Sequence, residues 1–461
     1  MKEIRIKVVV QAKKENVPGW PHINYGYDKK TEEIMSSVRE YNDDAKFDVV
    51  KYTSPQQAEE AFEEDKKKYD GILLLLMTNW VKIDNFYAKH TDEMPIAIAG
   101  ICYCGSGSLL ESTIPMIREN NLPIPYCSST NNMDIARLAR TLVVNAKLKR
   151  TTVLVIKNVE TQAKASKAKK CNSNSLMAEF NAVTKDQREV EAAKRFGCKF
   201  IVKSSKDLMD EFDAVSDEAA EPIVKKWTNG ALGVVEPSAK DIVEGAKLYI
   251  ALKKMVKENK ANAVTVDCLS LSYQDEYGKN RHMYPCLSHF QMNNDGELGV
   301  CEADIDATMS CLISLYLAKK QGFVSDPVID TSSDQIIYAH CVACRKVYGT
   351  NDARSCDYYI RSHAEDQLGA SVQVIFPTGE KLTTFTMSNV NGWGSVHSAE
   401  SVGNAGGDAG CRSKLVAKCN ARAIMDNWMP QWHRVTVFGD YRTDIMNLFK
   451  LKGMRIVEED K

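Results

Sequence analysis

Over its first 150 residues the chain alternates short apolar runs with longer amphipathic segments, and this alternation limits the fold more than any other feature. Residues 4–10, 47–52, 71–77, 95–100 and 124–127 are strand-length and apolar. Residues 31–41, 55–68 and 109–120 between them carry helical periodicity. Such a pattern builds βαβ units, whose parallel strands are covered by helices on both faces. Ligands on sheets of this kind sit at the carboxyl ends of the strands. The loops expected there include 13–27, 78–80 and the CYCGSGS stretch at 102–108. In that stretch the backbone N–H groups of Gly105 and Ser106 are candidates to hold a substrate oxygen, against the plainer reading of a strand–helix turn.

The pattern restarts after a closing helix at 134–149. Residues 152–156, 197–202, 233–235 and 263–266 read as further strands, and 222–227 and 241–259 as helices. A lysine- and serine-rich segment carrying Lys164, Lys167, Lys169 and Lys170 reads as a loop before a helix starting near Leu176. From about 326 the period changes. Residues 326–344, 356–362, 370–376 and 381–387 look extended, a glycine-rich stretch covers 392–410, and helix-like segments return at 414–426 and 443–451. The expected architecture is therefore α/β. Two Rossmann-like βα domains with parallel sheets, at 1–150 and 151–325, precede a β-rich, barrel-like C-terminal domain at 326–461.

Composition narrows the function. The formal net charge is -1, which argues against nucleic acid as the main partner. No apolar run reaches the roughly 18 residues of a membrane span, and the N-terminus reads as a strand rather than a signal peptide. The 14 cysteines lie singly or in close pairs in apolar contexts, as reduced core residues of a cytoplasmic protein do.

Four polar residues stand at the ends of apolar elements. Glu302 follows an apolar run and precedes a helical pattern, Asp330 closes Val328-Ile329, His340 ends the run 336–339, and His433 precedes the strand-like 435–438. Taken singly, each reads as an N-cap or a satisfied core histidine. Burying all four is unfavourable unless they are paired or bind a cation, and carboxylates with imidazoles suit a divalent ion such as Mn²⁺. Two more candidates lie in the β-rich region: His363, beside Arg361, and Arg412, in the glycine-rich approach CRSK. His363 is a candidate to line the substrate site, against the plainer reading of a surface or turn histidine, and Arg412 a candidate to meet a hydroxyl or an anionic group, against that of a solvated arginine.

With these residues the chain resembles the L-fucose isomerase and L-arabinose isomerase superfamily. The resemblance rests on CEADIDATMS, on DPVID with a histidine ten residues on, and on WHRVTVF. It implies that Glu302 and Asp330 are the metal-binding acids and also the acid–base pair of an aldose–ketose isomerisation. It further implies that His433 is a ligand, and that His340 is the additional histidine of the arabinose isomerase pattern. Mn²⁺ as cofactor, a sugar as substrate and a homo-oligomer, trimer or hexamer, with neighbouring subunits completing the pocket, follow from the same resemblance. The N-terminal loops match neither sugar, and the lysine-rich loop would favour an acidic (sulfonated, carboxylated or phosphorylated) sugar. A non-catalytic sugar-binding protein is the alternative from a different class.

Overall fold

A computed structural model of the protein describes residues 3–158, 185–279 and 281–461. The lysines between 164 and 170 and the helix expected from Leu176 lie outside them. The described residues form two compact units. One comprises residues 3–150 with Thr443–Ile456; the other comprises those of Thr151–Arg442 with Val457–Lys461.

In the first unit, β1 (Arg5–Gln11), β2 (Lys46–Tyr52), β3 (Gly71–Leu76), β4 (Ile96–Ile101) and β5 (Tyr126–Ser129) form a parallel sheet in the order β2-β1-β3-β4-β5. The inner strands β3 and β4 are buried at every position, whereas the edge strand β2 alternates. Val8 and Val10 face a core shared with the helices Tyr27–Tyr41 and Asn132–Leu148. Val9 faces the opposite core, which includes Phe62 of the helix Pro55–Lys68. Covering both faces is what makes continuous apolar runs stable as strands here. The helix Arg442–Leu451 corrects the expected layout. Its Leu451 joins the Val8/Val10 core and Asp444 accepts from Arg137 Nε at 3.0 Å, so this part of the chain's end belongs to the first unit rather than to a C-terminal domain.

The second unit holds a parallel sheet of β6 (Thr152–Ile156), β7 (Lys199–Lys203), β9 (Ala263–Val266) and β10 (Gly299–Cys301), in the order β10-β9-β6-β7. The expected strand at 233–235 is not part of it. Instead β8 (Gly233–Val234) runs parallel to β13 (Asp357–Arg361), which pairs antiparallel with β14 (Ser371–Ile375). The Tyr358 hydroxyl, bonded to the Trp227 carbonyl at 2.7 Å, anchors the chain leading into β8 on that side.

The β-rich region closes on itself. β11 (Phe323–Asp330), β12 (Gln335–His340), β15 (Lys381–Ser388), β16 (Trp393–Asn404), β17 (Ser413–Lys418) and β18 (Arg434–Phe438) follow the order β15-β18-β11-β12-β17-β16, and β15 also pairs with β16. The result is a six-stranded antiparallel barrel, without the exposed edges of an open sheet. Two local readings give way here. The stretch expected as a glycine-rich loop contains the twelve-residue β16, because its register with β15 and a bulge between Ser401 and Gly403 absorb the glycines. The helix expected from 414 starts only at Ala421, capped by Asn420, because residues 413–418 pair with β12. The boundary expected after 325 thus separates sheet types but not compact units. Among the described residues no helix is long and apolar enough to cross a membrane.

Candidate metal centre

Glu302 sits directly after β10, at the carboxyl end of a parallel strand. The turn there is tight: Glu302 and Ala303 both have left-handed backbones, with φ of 65° and 47°. Each such residue costs about 1–2 kcal/mol relative to the right-handed form. The Ala303 N–H, bonded to the Val266 carbonyl at 3.0 Å, helps hold the turn, and the helix Ile305–Ala318 starts immediately after it. Strained backbone of this kind, between a strand and a helix cap, is common at functional sites.

The barrel supplies the other groups. Asp326 of β11 pairs with Ala339 of β12, beside His340. On the other flank β11 pairs Ser325 with Arg434 of β18, which sets His433 next to Asp326. One barrel end therefore presents Asp326, His340 and His433 together. His340 Nε2 lies 3.7 Å from Glu302 Oε1, and His433 Nε2 lies 3.7 Å from Glu302 Oε2 and 3.4 Å from Asp326 Oδ1. Glu302, His340 and His433 offer ligand atoms within 4.8 Å of one another.

The two histidines are held differently. His433 Nδ1 donates to Asp304 Oδ2 at 2.8 Å, which leaves Nε2, on the side of the carboxylates, as the atom a cation would take once its proton is displaced. This is the carboxylate–histidine arrangement that orients a metal ligand. At His340 the Val342 N–H donates to Nδ1 at 3.2 Å, so the proton of the neutral ring sits on Nε2, directed at Glu302. Burial disfavours a charged His340, but Glu302 and Asp326 draw its pKa above that of a free imidazole; in either state Nε2 carries a proton toward Glu302.

Burial opposes ionisation of Glu302, but the two imidazoles outweigh it and hold its carboxyl well below the usual range. Burial also disfavours a charged His433, yet Glu302 and Asp304 draw its pKa well above that of a free imidazole. Asp304 is held down to about 2 against its burial, with His433 the main cause.

Asp330 takes no part in this cluster. It ends β11 at the hairpin turn, where it accepts the Ser332 N–H at 2.9 Å and the hydroxyls of Ser332 and Ser333 at 2.6 and 2.7 Å. Its carboxylate serves a turn, and Asp326 stands where the second acid was expected. The hairpin carries the signal that was missed. A turn at 331–334 pairs Asp330 with Gln335, so the residues across from 339 and 340 are 326 and 325. Asp304 and Gln431, whose Nε2 donates to Asp304 Oδ2 at 3.3 Å, were not anticipated either.

His363 and Arg412 lie in the same unit. His363 stacks on Tyr284, with ring centroids 3.8 Å apart, and its Nδ1 is 3.7 Å from Asp366. Arg412 donates from Nε to the Ser362 carbonyl at 3.0 Å and follows Cys411, whose thiol is 3.7 Å from Asp326. Gly105 and Ser106 belong to the first unit. A Cβ on Gly105 would lie 2.1 Å from the Leu76 carbonyl oxygen, so the glycine answers to packing against β3.

The residues fit a divalent cation. Asp326 Oδ1, His340 Nε2 and His433 Nε2 are buried without a hydrogen-bond partner. Carboxylate oxygens with one imidazole nitrogen freed by its own carboxylate form a donor set for Mn²⁺ or a similar ion.

No protein-family model matches the chain, and no curated protein matches it in sequence. Among solved structures it is similar to a solute-binding protein of an ABC transporter from Burkholderia multivorans. The identity is 11% over 70% of this chain and 95% of that one, with a TM-score of 0.20, too slight a likeness to bear on function.

Proposed function

We propose that the protein is a metal-dependent aldose–ketose isomerase of the L-fucose and L-arabinose isomerase type, working by proton transfer through an enediol. The observation that carries this reading is the convergence of Glu302, Asp326, His340 and His433 at the junction of a parallel strand end and a barrel rim. Glu302, Asp326 and His433 would hold the ion, which when bound polarises the sugar carbonyl and offsets charge developing on oxygen. Glu302, ionised at neutral pH, accepts the proton next to the carbonyl, and Asp326 is the partner carboxylate on the neighbouring carbon. His340, with its proton on Nε2, donates to a sugar oxygen or to Glu302.

The test is turnover of an aldose panel in D₂O with Mn²⁺, read by NMR. Deuterium on the carbon that receives the proton, lost in Glu302→Gln and Asp326→Asn, supports the reading. Isomerised sugar without deuterium, when the reaction is slowed enough for exchange, points to a hydride shift. No product with any aldose rejects the isomerase.

Self-association is part of this reading. Trp20, Trp80 and Tyr103 lie on loops at the carboxyl ends of β1, β3 and β4, and Trp80 and Tyr103 are 67% and 79% exposed. Large apolar side chains gathered on loops suit burial against another subunit.

A further inference from the structure

Three cationic side chains gather under the 405–410 loop. Arg361 ends β13, Arg412 precedes β17 and Lys414 lies in β17. His340 pairs with Ser413, so Arg412 and Lys414 flank the residue across from a centre histidine. Cys411, directly before Arg412, touches Asp326 at 3.7 Å. Through Cys411 the segment that carries Arg412 and Lys414 adjoins the metal centre.

Arg412 donates to the Ser362 carbonyl and hydroxyl and Arg361 to Gln373, and the carboxylates of Glu236 and Asp408 and the Gly407 carbonyl complete the set. Glu236 accepts from Arg361 Nε at 2.8 Å on each oxygen and lies 4.0 Å from Arg412. From the glycine-rich loop, Asp408 reaches Arg361 at 3.1 Å and Arg412 at 3.6 Å, and the Gly407 carbonyl accepts from Lys414 Nζ at 2.7 Å. Asp408 is 84% exposed at the side chain while Arg412 is 5% exposed. A Cβ on Gly406, Gly407 or Gly410 would meet nothing within 4 Å, so little packs against this loop. Three cations against Glu236 alone leave a charge of +2, and Asp408 lowers it to +1. An exposed carboxylate on a loosely packed loop, satisfying buried guanidinium groups, stands where an anionic ligand would stand.

We propose that Arg361, Arg412 and Lys414 seat an anionic group of the substrate, and that Asp408 fills the seat until an aldose bearing a terminal phosphate, sulfonate or carboxylate displaces it. This rests on the isomerase reading for the sugar, but the seat can be tested without it.

The full-length protein is titrated calorimetrically with inorganic sulfate and phosphate. Turnover is then compared, in the Mn²⁺-loaded protein, between glucose, its 6-phosphate, its 6-sulfo analogue and glucuronate, which distinguishes the three anions. Asp408→Asn, at an exposed position, should tighten sulfate or phosphate binding and lower KM for the matching anionic sugar, each about tenfold. Arg412→Gln and Lys414→Gln should weaken both, and the exposed Arg354→Gln should change neither. Anion binding that follows this pattern with no aldose turned over upholds the seat and rejects the isomerase. Isomerisation with equal kcat/KM for neutral and anionic aldoses, unmoved by Asp408→Asn, upholds the isomerase and overturns the seat. Anion binding unchanged in both Asp408→Asn and Lys414→Gln overturns it as well.

Discussion

Asp304 holds His433 and starts a helix with the same carboxylate: Oδ2 accepts from His433 Nδ1 at 2.8 Å and Oδ1 accepts the Ala307 N–H at 3.0 Å. The ring that faces Glu302 is thus tied to the first turn of the helix Ile305–Ala318, whose preceding residues carry the strained turn of Glu302. Side chain and backbone of the candidate centre are fixed by one residue that itself offers no ligand atom.

Asp304→Asn should therefore weaken Mn²⁺ binding by roughly 10–100-fold, the usual cost of losing the partner that orients a metal-binding histidine. An amide can also donate to Nδ1, which would turn the His433 tautomer the wrong way. Calorimetric titration of Mn²⁺ into the variant checks this. Affinity equal to that of the parent would show that the contact serves the helix cap alone.

The two aspartates of β11 should separate cleanly. Asp326→Asn removes an unpaired buried carboxylate oxygen from the cluster and should abolish stoichiometric Mn²⁺ binding. Asp330→Asn disturbs a solvent-facing turn and should leave stability close to that of the parent, with metal content unchanged. Elemental analysis of the two purified variants decides, and the reverse pattern would return Asp330 to the site.

Glu302, His340 and His433 were legible in the sequence because each polar residue adjoins an apolar run, and the fold brings them together. Asp326 was not, because choosing between two acids on one strand needs the hairpin register, and a pattern of residue types does not count pairs across a turn. The first parallel sheet was legible for a related reason: strands covered on both faces carry continuous apolar runs. The β16 and β17 strands were obscured because barrel closure overrides local composition, in β16 by absorbing glycines and in β17 by pairing residues that look helical. The return of the C-terminal helix to the first unit depends on a core contact distant in sequence, at Leu451.

pH should act in opposite directions on the metal-free and metal-bound protein. His433 has a raised pKa in the fold, against an ordinary value of about 6.5 in the unfolded chain. Its charged form stabilises the metal-free fold fully below that value, and the contribution is lost as pH rises through the raised pKa. A bound cation must displace the same proton, so Mn²⁺ affinity should rise over that interval. Thermal unfolding with and without Mn²⁺, from about pH 6 to 9, should show a widening gap in Tm. A constant gap would place the linked proton elsewhere.

The exposed loops of the first unit give a prediction about assembly. Replacing Trp80 and Tyr103 with serine removes two large apolar surfaces and should shift the protein toward monomer in sedimentation velocity. A parent protein that is already monomeric at micromolar concentration would remove the support these side chains lend to self-association.

The segment that presents His433 depends on a buried charge network. Arg434 donates to Glu459 at 2.8 Å, to the Gln431 carbonyl at 2.6 Å and to the Met429 carbonyl at 2.9 Å. Glu459 also binds His397 at 2.9 Å, whose Nε2 meets the Tyr338 hydroxyl at 2.7 Å. Arg434 and Glu459 have no exposed side-chain surface, so removing Arg434 leaves a buried Glu459 with only His397 and the Met429 N–H as partners. Arg434→Met should cost about 3–5 kcal/mol, the range found when a buried pair loses one partner. Burial raises the pKa of Glu459, but Arg434 and His397 hold it down to about 2. Its contribution should be present in full above the unfolded value of about 4.3 and fade as pH falls toward 2. Because Arg434 also pins the 429–433 segment, Arg434→Met should lower Mn²⁺ affinity even at temperatures where the variant remains folded. Denaturant unfolding and metal titration of the same sample test both parts. A variant that loses stability while keeping parental Mn²⁺ affinity would show that His433 is positioned by Asp304 alone.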